Sequence, residues 1–370
     1  MVLIRRARPP KRHRILLFLR DATIICAITL VLTEISLRIY NRFDPLPIFY
    51  TDSYNQFRGK PFARVYDYRL NSNGFHDVER KVKKDEGTFR ILGIGDSFSF
   101  GVVPHGYNYL TLLEHGLNRQ GLNVEVVNMG IPGANTIDYL GLLVREGIEL
   151  RPDMVLLSFF IGNDFLGART RYGRTVVKYG WPWSHSYIAT AVSFLIAVRI
   201  KLQPSAADSG ARWDYDDNGD WFQYEAFLQA EREVSKIFVK ENKEFELDFS
   251  AALANVLAME KICDQQKIRL SVVLIPDEVQ VSWSLREKVI AAYGLPPESF
   301  DFTLPNRLLG EALRKHGIDY LDLFDEFAAA SAHVTLYRPN DTHWNIKGNS
   351  FASELIQRHL LPQLRLLARR

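Results

Sequence analysis

An alternation of strand and helix patterns is the feature that most constrains how this chain can fold. Short, continuously apolar runs predict strands at 89–95, 124–129, 154–160, 270–275 and 318–323. Helical periodicity predicts helices at 109–119, 137–149, 253–266, 282–293, 305–316 and 347–367. Apolar strands that alternate with helices indicate a parallel sheet covered on both faces. The sequence therefore predicts an α/β fold, a flavodoxin-like three-layer α/β/α arrangement with a parallel sheet of about five strands.

The rest of the chain divides around this pattern. Residues 89–370 are predicted to form one domain, and residues 41–88 an irregular lead-in with turns such as Asn73-Gly74. The alternation stops between 165 and 250, a stretch too long for an ordinary loop, which predicts an inserted helical segment. Within it, the apolar run at 181–201 predicts a buried helix, with a lid or a helix resting in a membrane interface as alternatives.

The N-terminus predicts a membrane anchor. Residues 1–21 are read as a basic cytoplasmic segment with the start of the anchor, and residues 22–40 as the transmembrane helix. A span needs about 20 residues, so Arg20, Asp21 and Glu34 must be tolerated near its ends, where charges can reach the interface. The basic flank predicts a cytoplasmic N-terminus and an extracytoplasmic (periplasmic or extracellular) body. A cleaved signal peptide, for which no small-x-small site follows, and an amphipathic surface helix are the alternatives.

Composition narrows the function classes. The net charge is +3, and basic residues crowd the first 14 positions, so the remainder is slightly acidic. That balance does not predict a nucleic-acid groove. Cys26 and Cys263 are the only cysteines, and they predict neither a zinc cluster nor a structural disulfide.

Polar residues stand where the predicted strands end. The first strand is followed by Ser97, the second by a glycine-rich turn with Gly133, and the third by Asn163. Asp341 and His343 precede the last helix. Because ligands of such sheets gather beyond the carboxyl ends of the strands, we expect these residues to meet there.

Together these residue types predict acyl-transfer chemistry. A serine needs a base to become a nucleophile, and His343 can supply it. Asp341, two residues upstream, can orient the imidazole. The backbone N–H groups of Ser97 and Gly133 and the side-chain amide of Asn163 can stabilise an oxyanion. This chemistry requires no metal or organic cofactor. Asn128 and Asp164, which also lie at strand ends, are predicted to be structural hydrogen bonders.

These blocks resemble the SGNH, or GDSL-type, hydrolase superfamily. The resemblance is carried by "GDSFSFG", "GIPG", "GND" and "DTHWN", and it covers 89–161 and the last thirty residues well and the insertion weakly. The first block reads GDSF where the family has GDSL, a departure at an apolar position. The resemblance implies Ser97 as the nucleophile, His343 as the base with Asp341 behind it, and an oxyanion hole of Ser97, Gly133 and Asn163.

The resemblance also suggests substrates and location. The "DTHWN" block followed by Gly348 is similar to the sugar O-acetylation branch, such as alginate acetylation proteins. The anchor followed by "NSNGF" and "GDSF" is similar to membrane-anchored members. We expect a serine esterase acting on acylated, in particular O-acetylated, carbohydrate, with polysaccharide export or modification machinery as a partner. The alternatives are an O-acetyltransferase that uses the same residues and a non-catalytic module that binds glycans or partners.

A second motif has a weaker meaning. Asp214, Asp216, Asn218, Gly219 and Glu225 match the spacing of a calcium-binding loop. No helical pattern leads into this segment, so we favour an acidic, turn-rich lead-in to a helix at 224–238, whose first turn Glu225 stabilises.

Overall fold

The computed structural model describes residues 11–43, 58–59, 61–169, 186–189, 192 and 215–367, and the chain divides into two compact units. The first unit holds helix α1 (Lys11–Phe43) and the described residues 186–189 and 192. The second unit holds the remaining described residues. Most of the helix predicted at 181–201 lies outside the described residues, as do the basic run at 1–10 and the lead-in from 44 to 57.

Helix α1 contains the predicted span. From Ile15 to Tyr40 it is long and apolar enough, by length and composition, to cross a membrane. Glu34, one of the two acidic residues within that stretch, accepts hydrogen bonds from the backbone N–H groups of Tyr187 and Ile188, both at 3.0 Å. Its charge therefore has partners inside the same unit.

The second unit begins with a short hairpin and continues with the predicted alternation. Its strands are β1 (Arg64–Val65), β2 (Tyr68–Arg69), β3 (Phe89–Gly95), β4 (Val124–Gly130), β5 (Met154–Phe160), β6 (Arg269–Ile275), β7 (Asp319–Asp322), β8 (Tyr337–Arg338) and β9 (Asp341–Trp344). Its helices are α2 (Ser97–Phe100), α3 (Tyr109–Arg119), α4 (Thr136–Leu142), α5 (Tyr224–Val234), α6 (Lys243–Gln266), α7 (Glu278–Val281), α8 (Trp283–Tyr293), α9 (Leu304–Lys315), α10 (Phe324–Ser331) and α11 (Ile346–Leu367).

Among the described residues, five strands form one parallel sheet in the order β4-β3-β5-β6-β7. This is the flavodoxin-like strand order, so the predicted fold class is confirmed. Strand side chains alternate between two buried layers. Leu92 faces the layer that includes residues of α4, α6, α8 and α9, whereas Ile91 faces the layer that includes residues of α3, α10 and α11.

Two helix boundaries differ from the sequence prediction. Helix α6 begins at Lys243, and not at 253 as predicted. The boundary predicted at 250 for the end of the insertion therefore lies inside this helix. Asn242 caps it by accepting from the N–H groups of Glu244 and Phe245 at 3.0 and 3.2 Å. The helix predicted at 137–149 leaves α geometry after Leu142 in a π turn that keeps the adjacent Leu142 and Leu143 both buried.

Two paired glycines bring a short helix onto the sheet. Gly95 of β3 lies opposite Gly130 of β4 in the parallel register. A Cβ at Gly130 would come within 2.1 Å of the Phe100 backbone nitrogen, and one at Gly95 within 2.2 Å of Ser99 Oγ. The missing side chains therefore let α2 rest directly on the strand ends.

We expect Gly130→Ala to lower the free energy of unfolding by about 1–3 kcal/mol, because the added methyl group meets backbone that cannot move aside cheaply. Thermal melting of the full chain in detergent measures this. Gly106→Ala is the matched control, since a Cβ at Gly106 has nothing within 4 Å. Equal melting temperatures for the two variants would contradict the close packing of α2.

Candidate active site

Ser97 opens α2 directly after β3. Asp96 caps this helix by accepting from the Phe98 N–H at 2.9 Å. Asp96 is fully buried, and burial raises the pKa of its carboxyl to about 6. Ser97 itself is half-buried. The cap thus fixes the turn that presents the serine while its hydroxyl stays within reach of solvent.

Buried hydrogen bonds hold α2 from below. The Ser99 carbonyl accepts from Asn108 Nδ2 at 3.0 Å and from Asn128 Nδ2 at 2.7 Å. Ser99 Oγ lies 2.7 Å from the Tyr109 hydroxyl, which also lies 2.5 Å from Ser158 Oγ. Buried polar groups that are all paired rigidify a site. Asn128 has the structural role predicted for it.

His343 reaches Ser97 from a separate hairpin. Its Nε2 lies 2.7 Å from Ser97 Oγ, across 246 positions of sequence. Its Nδ1 lies 2.6 Å from Asp341 Oδ1, and that same oxygen accepts from the His343 backbone N–H at 3.2 Å. The structure therefore joins the three residues in one hydrogen-bonded row, serine to imidazole to carboxylate.

The charges in this row support each other. Burial acts to lower the pKa of His343, but the charge and hydrogen bond of Asp341 outweigh it, so the pKa of the imidazole is raised. Burial acts to raise the pKa of Asp341, but His343 and Arg338 outweigh it, so the pKa of that carboxyl is lowered. Asp341 is thus held ionised, the form that stabilises an imidazolium.

The "DTHWN" block owes much of its pattern to packing. Trp344 is buried against Phe98 and Phe327, with ring centroids 5.0 and 5.1 Å apart. Asn345 accepts from the Gly348 N–H at 2.9 Å at the start of α11. A Cβ at Gly348 would come within 2.2 Å of the Leu336 carbonyl oxygen. These residues fix strand β9, which carries His343.

The two other oxyanion candidates flank the serine. Gly133 has φ +70° and sits third in a turn closed by the Ala134 N–H to Ile131 carbonyl bond at 3.1 Å. Pro132 precedes it, which gives the arrangement of a type II turn. The Ile131 N–H bonds the Gly95 carbonyl at 3.0 Å, so this turn starts beside the Ser97 turn.

Asn163 lies on the other side of the serine. Its side-chain amide interacts with the carboxyl of Asp96, the residue before Ser97. The next residue, Asp164, accepts from the Tyr139 hydroxyl at 2.7 Å and from the Phe160 N–H at 2.8 Å. Asp164 thus holds the loop that carries Asn163, the structural role predicted for it.

Sequence reasoning missed an arginine. Arg338 Nη1 lies 3.4 Å from Asp341 Oδ2, the oxygen that faces away from His343. Its place could have been read from "RPND", because a two-residue hairpin loop sets residues three apart opposite each other. Pro339 in that loop has a φ fixed at about −65° by its ring, and Asn340 has φ +50°, which is the arrangement of a type II turn.

Sequence reasoning also missed two buried acids, Asp277 and Glu231, and the half-buried Glu278. Burial raises the pKa of each, to about 8 for Glu278. The carboxyl groups of Asp277 and Glu231 also influence each other's charge. No sequence signal marks them, since they follow β6 or lie in the insertion.

The acidic segment that carries the calcium-loop spacing leads into α5. Asp214 lies outside the described residues, and Asn218 donates its N–H to Asp216 Oδ1 at 2.9 Å in a local turn. Glu225 lies in the first turn of α5, as the favoured alternative expected. Over the part of the chain that the structure describes, no group of His, Cys, Asp and Glu side chains is arranged to hold a metal ion. The calcium loop remains an untested prediction.

Comparison with known proteins yields fold-level likeness alone. No family model matches the sequence, and no curated protein matches it significantly. Solved structures with a similar arrangement include an acetyl xylan esterase (14% identity, 73% of this chain and 98% of that one, TM-score 0.41). Another is a lipase/acylhydrolase from Enterococcus faecalis, with 14% identity over 74% of this chain and 96% of that one and a TM-score of 0.39. A third is a catalytic mutant of an acetylxylan esterase from Geobacillus stearothermophilus, with 13% identity over 74% of this chain and 94% of that one and a TM-score of 0.41. Likeness at this level carries no argument about activity.

We expect Asp341→Asn to lower the pKa of His343, because the neutral amide no longer attracts the imidazolium while burial still opposes it. NMR titration of the His343 ring in full-length protein measures the pKa. Asp85→Asn is the control, since the exposed Asp85 carboxylate accepts from Lys81 Nζ at 3.0 Å and does not contact the imidazole. An unchanged pKa in Asp341→Asn would show that the carboxylate does not set the charge of the base.

Proposed function

We propose that this protein is a serine ester hydrolase of the SGNH type that works through an acyl-enzyme. The observation that carries the proposal is the hydrogen-bonded row from Ser97 Oγ to His343 Nε2 at 2.7 Å and from His343 Nδ1 to Asp341 Oδ1 at 2.6 Å. A serine, an imidazole and an ionised carboxylate in this geometry are the groups that activate an alcohol for attack on an ester.

In the proposed reaction, Ser97 Oγ attacks the ester carbonyl and its proton passes to His343 Nε2. Asp341 stabilises the imidazolium, and the N–H groups of Ser97, Gly133 and Asn163 receive the oxyanion. The imidazolium then gives its proton to the leaving alcohol oxygen as the ester C–O bond breaks. Water, activated by the same imidazole, attacks the acyl-enzyme and releases the acid.

We further propose acylated, in particular O-acetylated, carbohydrate as the substrate. The support is the similarity of "DTHWN" and Gly348 to sugar O-acetylation proteins. If a sugar hydroxyl replaces water in the second step, the same residues transfer the acyl group. The proposal favours hydrolysis and leaves transfer as an outcome of the experiment below.

The proposed place of action is the outer face of a membrane. The support is the apolar stretch Ile15–Tyr40 of α1 and the basic residues that precede it. Positive charge beside a span favours the cytoplasmic side, which leaves residues 89–370 on the other side. Polysaccharide export or modification machinery in that membrane is the proposed partner.

A fluorophosphonate probe should label the full-length protein at one serine. We expect labelling to be abolished in Ser97→Ala and slowed on the order of 10³-fold or more in His343→Ala, because the alcohol then lacks its base. Ser331→Ala, at a serine of α10, is the matched control and should label as the wild type does. A folded wild type that stays unlabelled would contradict the hydrolase and favour the non-catalytic binding module.

A second arm of the same experiment identifies whether water or a sugar hydroxyl accepts the acyl group from the acyl-enzyme. Wild-type protein that reacts with the probe is incubated in two mixtures. The first contains an acetyl ester and an oligosaccharide, and the second contains an acetylated oligosaccharide alone. We expect free acetate from both mixtures. Acetylated sugar as the main product of the first mixture would replace hydrolysis by transfer.

Membrane topology is tested by cysteine accessibility. We expect the protein to stay in membranes through an alkaline wash, and Lys315→Cys, but not Arg5→Cys, to react with an impermeant maleimide added outside sealed cells. Cys263 is buried and Cys26 lies in α1, so neither should react. The reverse pattern of labelling would overturn the orientation.

A further inference from the structure

Arg338 and Asp341 form a buried ion pair behind His343. They lie opposite each other in the β8–β9 hairpin, with side chains only 2% and 1% exposed. Asp341 Oδ1 bonds the imidazole, and Oδ2 lies 3.4 Å from Arg338 Nη1. One carboxylate oxygen of Asp341 therefore contacts Arg338, whose charge is permanent, and the other contacts His343, which gains and loses a proton.

An acidic and aromatic segment, residues 215–221, closes over this arginine; we call it the clamp. The Trp221 and Tyr215 rings lie 4.7 and 5.3 Å from the guanidinium carbon. Arg338 Nη2 also lies 3.4 Å from the Asp216 carbonyl oxygen. A guanidinium held against aromatic faces and shielded from water exerts a stronger field on its neighbours than a solvated one.

The carboxylates of the clamp bind the protein itself. Asp217 Oδ1 accepts from the Tyr215 hydroxyl at 2.5 Å and from the Ile346 N–H at 3.0 Å. Asp220 Oδ1 accepts from Asn340 Nδ2 at 3.0 Å, in the loop between Arg338 and Asp341. Asp217 and Asp220, which lie between the residues of the calcium-loop spacing, thus fasten the clamp to α11 and to the hairpin.

Acidic groups surround the row on its other sides. Asp96 of the Ser97 turn and Asp277 after β6 both interact with the His343 charge. Glu231 of α5 and Glu278 of α7 interact with Asp341. Among the described residues, Arg338 is the cation paired with Asp341 apart from the imidazole. It is the charge that offsets this acidic setting.

We propose that Arg338 is a positioning residue for the reaction, acting through Asp341, and that the clamp holds it in place. The inference rests on the proposed function in that Ser97 is the nucleophile. Arg338 holds Oδ2 so that Oδ1 faces the imidazole. Its charge also opposes protonation of His343, against the larger effect of Asp341, and so favours the neutral imidazole that a base must be.

The test is the pH dependence of fluorophosphonate labelling in the full-length protein. Arg338→Met should slow labelling at pH 7 by about 10- to 100-fold, the loss typical of misplaced catalytic groups. The acid limb of the variant's pH–rate profile, where labelling speeds up as His343 loses its proton, should move to higher pH. The reason is that the imidazole has lost a repelling charge and so keeps its proton up to a higher pH. Arg338→Lys, which keeps the charge, should restore the position of the limb.

A matched control separates this role from a loss of stability. Arg286 is also stacked on an aromatic ring, 4.6 Å from the Phe302 centroid, and bonds carbonyls of α7. Arg286→Met should leave the limb where it is. An Arg338→Met protein that is folded and has the wild-type limb and rate overturns the proposal.

Two further measurements apply if Arg338→Met does not fold or if the wild type is not labelled. If Arg338→Met does not fold, Trp221→Leu removes one shielding ring, and its acid limb should shift in the same direction; an unmoved limb overturns the proposal. If the wild type is not labelled, the proposed function fails. NMR titration of the His343 ring then decides separately, and a pKa that is not higher in the Arg338 variant overturns the role of the arginine.

Discussion

The parallel register of β3 is the constraint on which the site depends. Strand β3 pairs with β4 from Phe89 opposite Val124 to Gly95 opposite Gly130, and with β5 on its other side. Because parallel strands end at one edge of a sheet, the chain leaves all three strands at nearly one place. The glycines then leave room for α2. Segments distant in sequence thus supply a nucleophile and two flanking groups within one small region.

The base comes from outside that sheet. Strand β9 pairs only with β8 among the described residues, and its position depends on the burial of Trp344 and on the bonds of Asn345. A hairpin of this size is not stable alone. It is held by α11 behind it and by the clamp over it, so the geometry at Ser97 depends on packing well beyond the row.

Sequence reasoning predicted those parts whose physics is local. Continuous apolar runs identified the strands, and helical periodicity identified α3 to its end residues. It failed where a local pattern competes with a tertiary one. The first turns of α6 alternate apolar and polar residues like a strand, yet Phe245 is buried and Asp248 bonds Arg169 at 2.6 Å. The Asn242 cap was the signal that could have placed the start.

The sequence by itself determined the order of strands and helices, the apolar N-terminal helix, and the residue types able to perform acyl-transfer chemistry, because each follows from nearest neighbours and periodicity. Only the tertiary structure decided that His343 lies 2.7 Å from Ser97, that Arg338 backs Asp341, and that the acidic segment clamps a hairpin. Those contacts join positions far apart in the chain. Their geometry is set by how layers pack and how buried charges find partners, which no single stretch of sequence encodes.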